Sequence, residues 1–162
     1  MITFTVFGHP EPQGSMKAFM PKGARFPVVT SANKKLIPWR QEIARTALNE
    51  MAKEREGLEE PFGREIPICV RLDFYLARPA SLPKRAVWPV KKPDFDKLCR
   101  GAIDAMTGIV YVDDSQVVQC IIAKWYGSPE RTKISITIPQ GTSLEANEHV
   151  LDLFAALEPA RQ

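Results

Sequence analysis

The stretch KPDFDKLCRGAIDAMTGIVYVDD, Lys92 to Asp114, constrains this chain more than any other. It starts on the second of two consecutive lysines and carries five carboxylates among apolar residues and bases. Its middle reads as a helix: at 100° per residue Leu98, Cys99, Ala102, Ile103, Ala105 and Met106 fall on one side, and Lys97, Arg100, Gly101 and Asp104 on the other. Asp96 stands at or near the N-cap, and Gly108 stands where a helix-stopping glycine belongs. Asp94 and Asp96, extended before the cap, project to one side.

Lengths then decide whether the carboxylates meet. A helix over 97–107 rises about 16 Å at about 1.5 Å per residue. A strand returning over 109–114 spans roughly 16 to 20 Å at about 3.3 Å per residue. With a reversal at Gly108, Asp113 and Asp114 come back beside Asp94 and Asp96. Alternation separates the last two, because Val110, Val112 and Asp114 share one face while Ile109, Tyr111 and Asp113 share the other. Packing the valine face on the helix points Asp114 at Asp94 and Asp96.

Three converging carboxylates repel and raise one another's pKa unless a hard divalent cation, which takes about six oxygen ligands, supplies charge. Oxygen donors without neighbouring His or Cys favour Mg²⁺, with Mn²⁺ as a substitute, over zinc. Such sites displace groups at phosphorus, the metal activating water and stabilising the leaving oxygen. Taken singly, these residues have ordinary structural roles: Asp96 as cap, Arg100 as i+4 partner of Asp96 and Asp104, and DDSQ as a polar turn. The joint placement of Asp94, Asp96 and Asp114 favours a shared site, while Asp104 is assigned to a structural pair with Arg100.

The remaining pattern is that of one mixed α/β domain. ITFTVF alternates Ile2, Phe4 and Val6 against Thr3 and Thr5, a half-buried strand ending at Gly8. The segment from Gly8 to Lys35 has too many Pro and Gly for a regular element and reads as a functional or mobile loop. A helix is expected from Pro38, with Trp39, Ile43, Ala47 and Met51 along one face, dissolving in the charged stretch KEREGLEEPFGRE. IPICVRLDFYLA, from Ile66, is the clearest strand, and QVVQCIIAKWYG and TKISITI supply two more, the first partly buried on both faces. Residues 1–139 are read as the folded domain. The polar tail 140–162 is read as a short amphipathic helix, with Thr142 and Glu145 at capping-box spacing and Val150, Leu151, Phe154 and Leu157 as its stripe.

At 162 residues, 44% hydrophobic and 25% charged, the chain can bury one core. No stretch approaches the roughly 20 apolar residues of a membrane span, and a cytoplasmic protein is expected. Cys69, Cys99 and Cys120 are widely spaced within apolar patterns and read as buried free thiols. The net charge of +3 is modest, but its distribution is not. Pro12 to Gln41 holds six bases and Arg78 to Lys92 five, neither with an acid. Interleaved with Phe19, Phe26 and Trp88, these segments suit a polyanion. His9 and His149 have no partner pattern and are assigned no catalysis.

KPDFDKL followed by IDAMTGIVYVDDSQVV resembles the RusA family of Holliday junction resolvases, in which Asp-x-Asp-x-Leu leads into a helix, an Asp-Ala pair and, after a short strand, Asp-Asp-x-Gln. The resemblance extends more weakly to GHPEPQGSMKAF and TSANKKLIPWRQEI, and covers about residues 1 to 138. It implies a metal-dependent endodeoxyribonuclease acting as a homodimer on four-way DNA junctions, on a mixed α/β fold with a central sheet. By position, Asp94, Asp96 and Asp114 are the Mg²⁺-binding catalytic carboxylates. The family's essential lysine falls on Arg100 and its usual Asn on Lys97, two departures. Arg keeps a positive charge for the scissile phosphate but does not readily give up a proton, whereas Lys97 offers an amine about 60° around the helix. Lys17, Lys84, Arg85, Lys91, Lys92 and Lys97 are the expected DNA contacts. The competing readings are a junction-binding protein that has lost turnover through these departures, and a metal- and nucleotide-binding transferase, for which no glycine-rich phosphate cradle is present.

Overall fold

A computed structural model describes residues 1–14, 16–31, 33–54 and 60–139, without the side chains of 16, 17, 29–31 and 54. The expected helix of residues 140–162 lies outside the described residues. Strands β1 (Ile2–Phe7), β4 (Ile68–Leu76), β5 (Val117–Tyr126) and β6 (Arg131–Thr137) form one sheet in the order β1-β6-β4-β5. β4 pairs with β5 in parallel and the other pairs are antiparallel, so the sheet is mixed. Helices α1 (Leu36–Glu54) and α2 (Phe95–Met106) complete the single domain. Among the described residues no helix is long and apolar enough to cross a membrane.

Alternation sets the core. Ladder register aligns Phe4, Ile134, Leu72 and Ile122 in one row across the sheet, with Ile2, Ile136, Val70 and Cys120 in the next. These rows pack against the helices, where Leu36, Trp39, Ile43, Ala47 and Met51 form the buried stripe of α1, and Leu98, Ala102, Ala105 and Met106 that of α2. Each fully buried aliphatic side chain contributes about 1.5–3 kcal/mol. Gly101 is buried too, against the expectation that it faces outward. A Cβ there would stand 3.0 Å from Trp39 Cζ3 and 3.2 Å from Leu36 Cδ1, so its missing side chain lets α1 and α2 close together.

On the other face of β4, Arg71 and Asp73 form a buried pair, Nε to Oδ2 at 2.8 Å and the second guanidinium nitrogen to Oδ1 at 3.3 Å. Trp125 of β5 donates its indole N–H to Asp73 at 2.9 Å, tying the sheet edge to its centre. Removing one member of such a pair costs about 3–5 kcal/mol.

Two further expectations change. The segment from Gly8 to Lys35 includes a small hairpin, β2 (Met16–Phe19) with β3 (Val28–Ser31), and α1 begins at Leu36, with Pro38 in its first turn as expected. The strand expected over 109–114 is absent. Gly108, at φ +75°, turns the chain as its position predicts, but the Ile109 and Val110 N–H groups then donate to Met106 O, and Gly108 N–H to Tyr111 O at 2.7 Å. Only single bridges to Phe62 and Thr107 follow. Val110 and Tyr111 are therefore both fully buried, which no alternating strand on one packed face allows.

The Tyr111 hydroxyl donates to Ile103 O at 2.8 Å. Burial first, and then the Asp114 charge, push the phenol's pKa far up. The unfolded chain releases this proton near about pH 10 while the folded chain keeps it. Its contribution is thus complete below about pH 10 and falls as pH rises above it. Tyr111→Phe is expected to lose about 1 kcal/mol near neutral pH and to flatten the alkaline decline, as read by urea denaturation at both pH values.

Candidate active site

The segment between β4 and β5 carries nearly every candidate residue, and three anchors fix it. Lys124 of β5 donates to Lys91 O at 3.0 Å and Pro93 O at 2.9 Å, holding the chain immediately before α2. Trp88 packs on Trp125 with ring centroids 5.1 Å apart, and Arg78 caps its own loop by donating to Ala86 O and Pro83 O. Lys84, Arg85, Lys91 and Lys92 are thereby displayed as exposed cations on an anchored loop. Lys17 lies in β2, and its side chain is not described.

After α2, the Asp113–Asp114 pair divides its labour. Asp113 caps a short 3₁₀ turn (Asp114–Gln116), its carboxylate accepting from Ser115 N at 3.0 Å while Gln116 Oε1 accepts from the Asp113 N–H at 3.0 Å. The Ser115 hydrogen bonds, with Arg64 at 3.5 Å, hold the Asp113 carboxyl below its usual range. Gln116 is buried and donates to Phe62 O, Gly63 O and Ile66 O, clamping the turn to the preceding loop. Asp114 is left to face solvent along a groove.

That groove, about 420 Å³, runs between α2 and β5. Asp96, Cys99, Arg100 and Asp104 line it from the helix, and Asp114 and Cys120 from the other wall. The structure therefore brings Asp96, Arg100 and Asp114 to one surface, and adds Asp104. Asp104 pairs with Arg40 of α1 at 3.4 Å, whereas the expected partner was Arg100. Arg100 makes no ion pair among the described residues, which leaves its charge directed to the groove.

Asp94, in place of Asp96, is the N-cap of α2, and its side chain makes no cap hydrogen bond. It lies 3.0 Å from Lys97 Nζ; that contact, with Lys92 and Lys124 adding charge, draws its pKa down and raises that of Lys97. The expected convergence of Asp94 with Asp96 and Asp114 is not seen: Asp96, Asp104 and Asp114 line the groove, whereas Asp94 turns to Lys97 and does not line it. Asp104 and Asp114 act on the Tyr111 phenol, and Asp96 on Lys97 and Cys99. Among the described residues no three His, Cys, Asp or Glu side chains stand close enough together to hold a metal ion. The donor chemistry, oxygen ligands on an open groove, nevertheless fits Mg²⁺.

Cys99 and Cys120 face each other across the groove at 3.7 Å between sulfurs. The Cys120 hydrogen bond lowers the Cys99 pKa and raises that of Cys120, against the opposing charges of Asp96 and Asp104 on Cys99. The Arg40 partner of Asp104, the Cys99–Cys120 contact and the Gln116 clamp were not identified from sequence, because each depends on contacts 21 to 64 residues apart, and Cys99 and Cys120 are half-buried at the groove where buried thiols were expected.

Two comparisons bear on what this groove does. The chain is 30% identical to the uncharacterized protein YqaN of Bacillus subtilis (strain 168) over 80 residues, covering 43% of this chain and 56% of that relative, so it spans little more than half of the relative's length. Residues 10–137 match the family model described as Endodeoxyribonuclease RusA, a span that contains the basic loop, α2, the Asp113–Gln116 turn and the whole groove. The chain belongs to the RusA endodeoxyribonuclease family.

Proposed function

We propose that this chain is a Mg²⁺-dependent, structure-specific endodeoxyribonuclease that resolves four-way Holliday junctions by paired phosphodiester hydrolysis. Membership of a family of metal-dependent nucleases gives the reaction class. The observation that carries the reading to these residues is the groove lined by Asp96, Arg100 and Asp114, at the end of a loop displaying Lys84, Arg85, Lys91 and Lys92.

Asp96 and Asp114 would hold the ion, with Asp94 as third ligand once it leaves Lys97. When bound, Mg²⁺ supplies an activated water and charge for the leaving oxygen. The protein's own residues do the rest. Arg100 would bind the scissile phosphate's oxygens as a fixed cation, since a guanidinium does not readily give up a proton. Lys97, freed from Asp94, would offer an amine one residue along α2 from Asp96. The basic loop holds the DNA arms through phosphate contacts that position without reading sequence. A two-fold symmetric junction needs two symmetric cuts, so a C2 homodimer, with one groove per chain, matches substrate to enzyme.

One observation favours a second reading, a junction-binding protein without turnover: Asp94 is engaged by Lys97, which replaces the family's usual Asn. The test is cleavage of a labelled four-way junction and its matching linear duplex, with Mg²⁺ or EDTA. Paired nicks are expected in the junction alone, dependent on Mg²⁺, and lower by about a hundredfold or more in Asp96→Asn, the scale of one lost charged contact in the transition state. Tight junction binding with no cuts under either Mg²⁺ or Mn²⁺ would select the second reading.

The loop generates its own prediction. Lys84→Glu with Arg85→Glu is expected to weaken binding of junction and duplex alike and to reduce the salt slope of affinity by about two. Unchanged affinity in a salt titration would place the DNA on another surface.

A further inference from the structure

The geometry points to a redox modification site inside the groove: Cys99 of α2 and Cys120 of β5 form a peroxide-reactive dithiol that closes to a disulfide and cross-links the two walls of the groove. The pair sits on the helix-facing side of the sheet, with sulfurs 3.7 Å apart and both residues partly open to the groove. A disulfide needs its sulfurs at about 2.05 Å, so a closure of about 1.7 Å between them forms the bond. Cys69 cannot compete. It is buried on the opposite face of β4, where its thiol points to Gln119, and the sheet separates it from Cys120.

The two sulfurs have different roles. Either sulfur can donate in the contact between them, which lowers the Cys99 pKa and, with burial, raises that of Cys120, so Cys99 is the sulfur prepared to act as thiolate. Its sulfur attacks hydrogen peroxide, forming an S–O bond as the O–O bond breaks, and the departing oxygen takes up a proton as water. Cys120 sulfur then attacks the Cys99 sulfenic acid, forming the S–S bond and expelling the hydroxyl with the Cys120 proton as a second water. Two thiols lose two electrons and one peroxide becomes two waters. The bond would fix α2 to β5 within the groove that Asp96 and Asp114 line. Gathering these carboxylates on one ion then becomes harder. That consequence rests on the function proposed above, whereas the cross-link does not.

The experiment treats the full reduced chain with hydrogen peroxide, alkylates the remaining thiols and maps peptides without reduction. A Cys99–Cys120 linked peptide is expected, reversed by dithiothreitol, abolished by Cys99→Ser and unaffected by Cys69→Ser. Dimedone should trap a sulfenic acid on Cys99 in Cys120→Ser and none on Cys120 in Cys99→Ser. Free, alkylated Cys99 and Cys120 after treatment, or links only through Cys69 or between chains, would overturn the site. Junction cleavage by the oxidised chain should fall at least tenfold and recover on reduction, while peroxide-treated Cys120→Ser returned to dithiothreitol keeps its activity. Full activity in a quantitatively cross-linked chain would overturn the regulatory consequence, and a reduced chain that never cuts would count against the proposed function and leave the mapping to decide the dithiol.

Discussion

Parallel pairing of β4 with β5 is the constraint on which the rest depends. Antiparallel neighbours can be joined by a tight turn, but parallel ones require the chain to return along its whole length before pairing again. Here the return runs from residue 77 to 116, and it contains the basic loop, α2 and the capped turn. The crossover thus places a helix beside the edge strand β5, and the seam between them is the groove. The Arg71–Asp73–Trp125 network on the far face and the Lys124 contacts on the near face fix β5 at that edge. The basic loop is therefore anchored to β5, the half-buried edge partner of the fully buried β4.

Electrostatics within the crossover are unevenly settled. Asp113 is fully engaged in a cap, and Asp104 and Asp94 each have a cationic neighbour. Asp96 and Asp114 face the groove with Arg100. A site that takes up a cation and a phosphate needs charges not already satisfied by one another, and among the groove-lining residues described those are Asp96, Asp114 and Arg100. Lys97, in this view, acts as a placeholder for the cation at Asp94.

Much of this was legible in the sequence. β1, β4 and β6 are half-buried or central strands whose alternation is strong, and Leu36, Trp39, Ile43, Ala47 and Met51 recur at helical spacing. The choice of Asp114 over Asp113 followed from period-two alternation, and the groove holds Asp114, but the strand assumed for it does not exist. Ile109 to Val112 is an apolar run that reads as a strand because burial in a turn and burial in a strand select the same residues. Gly101 looked outward because α1's approach cannot be read from α2's own pattern. The Arg40–Asp104 pair replaced a local i+4 pair for the same reason: sequence offers the near partner, and folding supplies a better-placed distant one.

The central claim is that Asp96 and Asp114 hold one divalent ion between them, with Asp94 joining after it leaves Lys97. The most direct measurement is anomalous diffraction at the manganese edge from crystals of the reduced protein grown with Mn²⁺. The account predicts a peak in the α2–β5 groove bonded to oxygens of Asp96 and Asp114, with Asp94 turned away from Lys97 toward it. A groove without a peak at saturating Mn²⁺, or a peak on Asp113 with the Asp94–Lys97 contact intact, would contradict it.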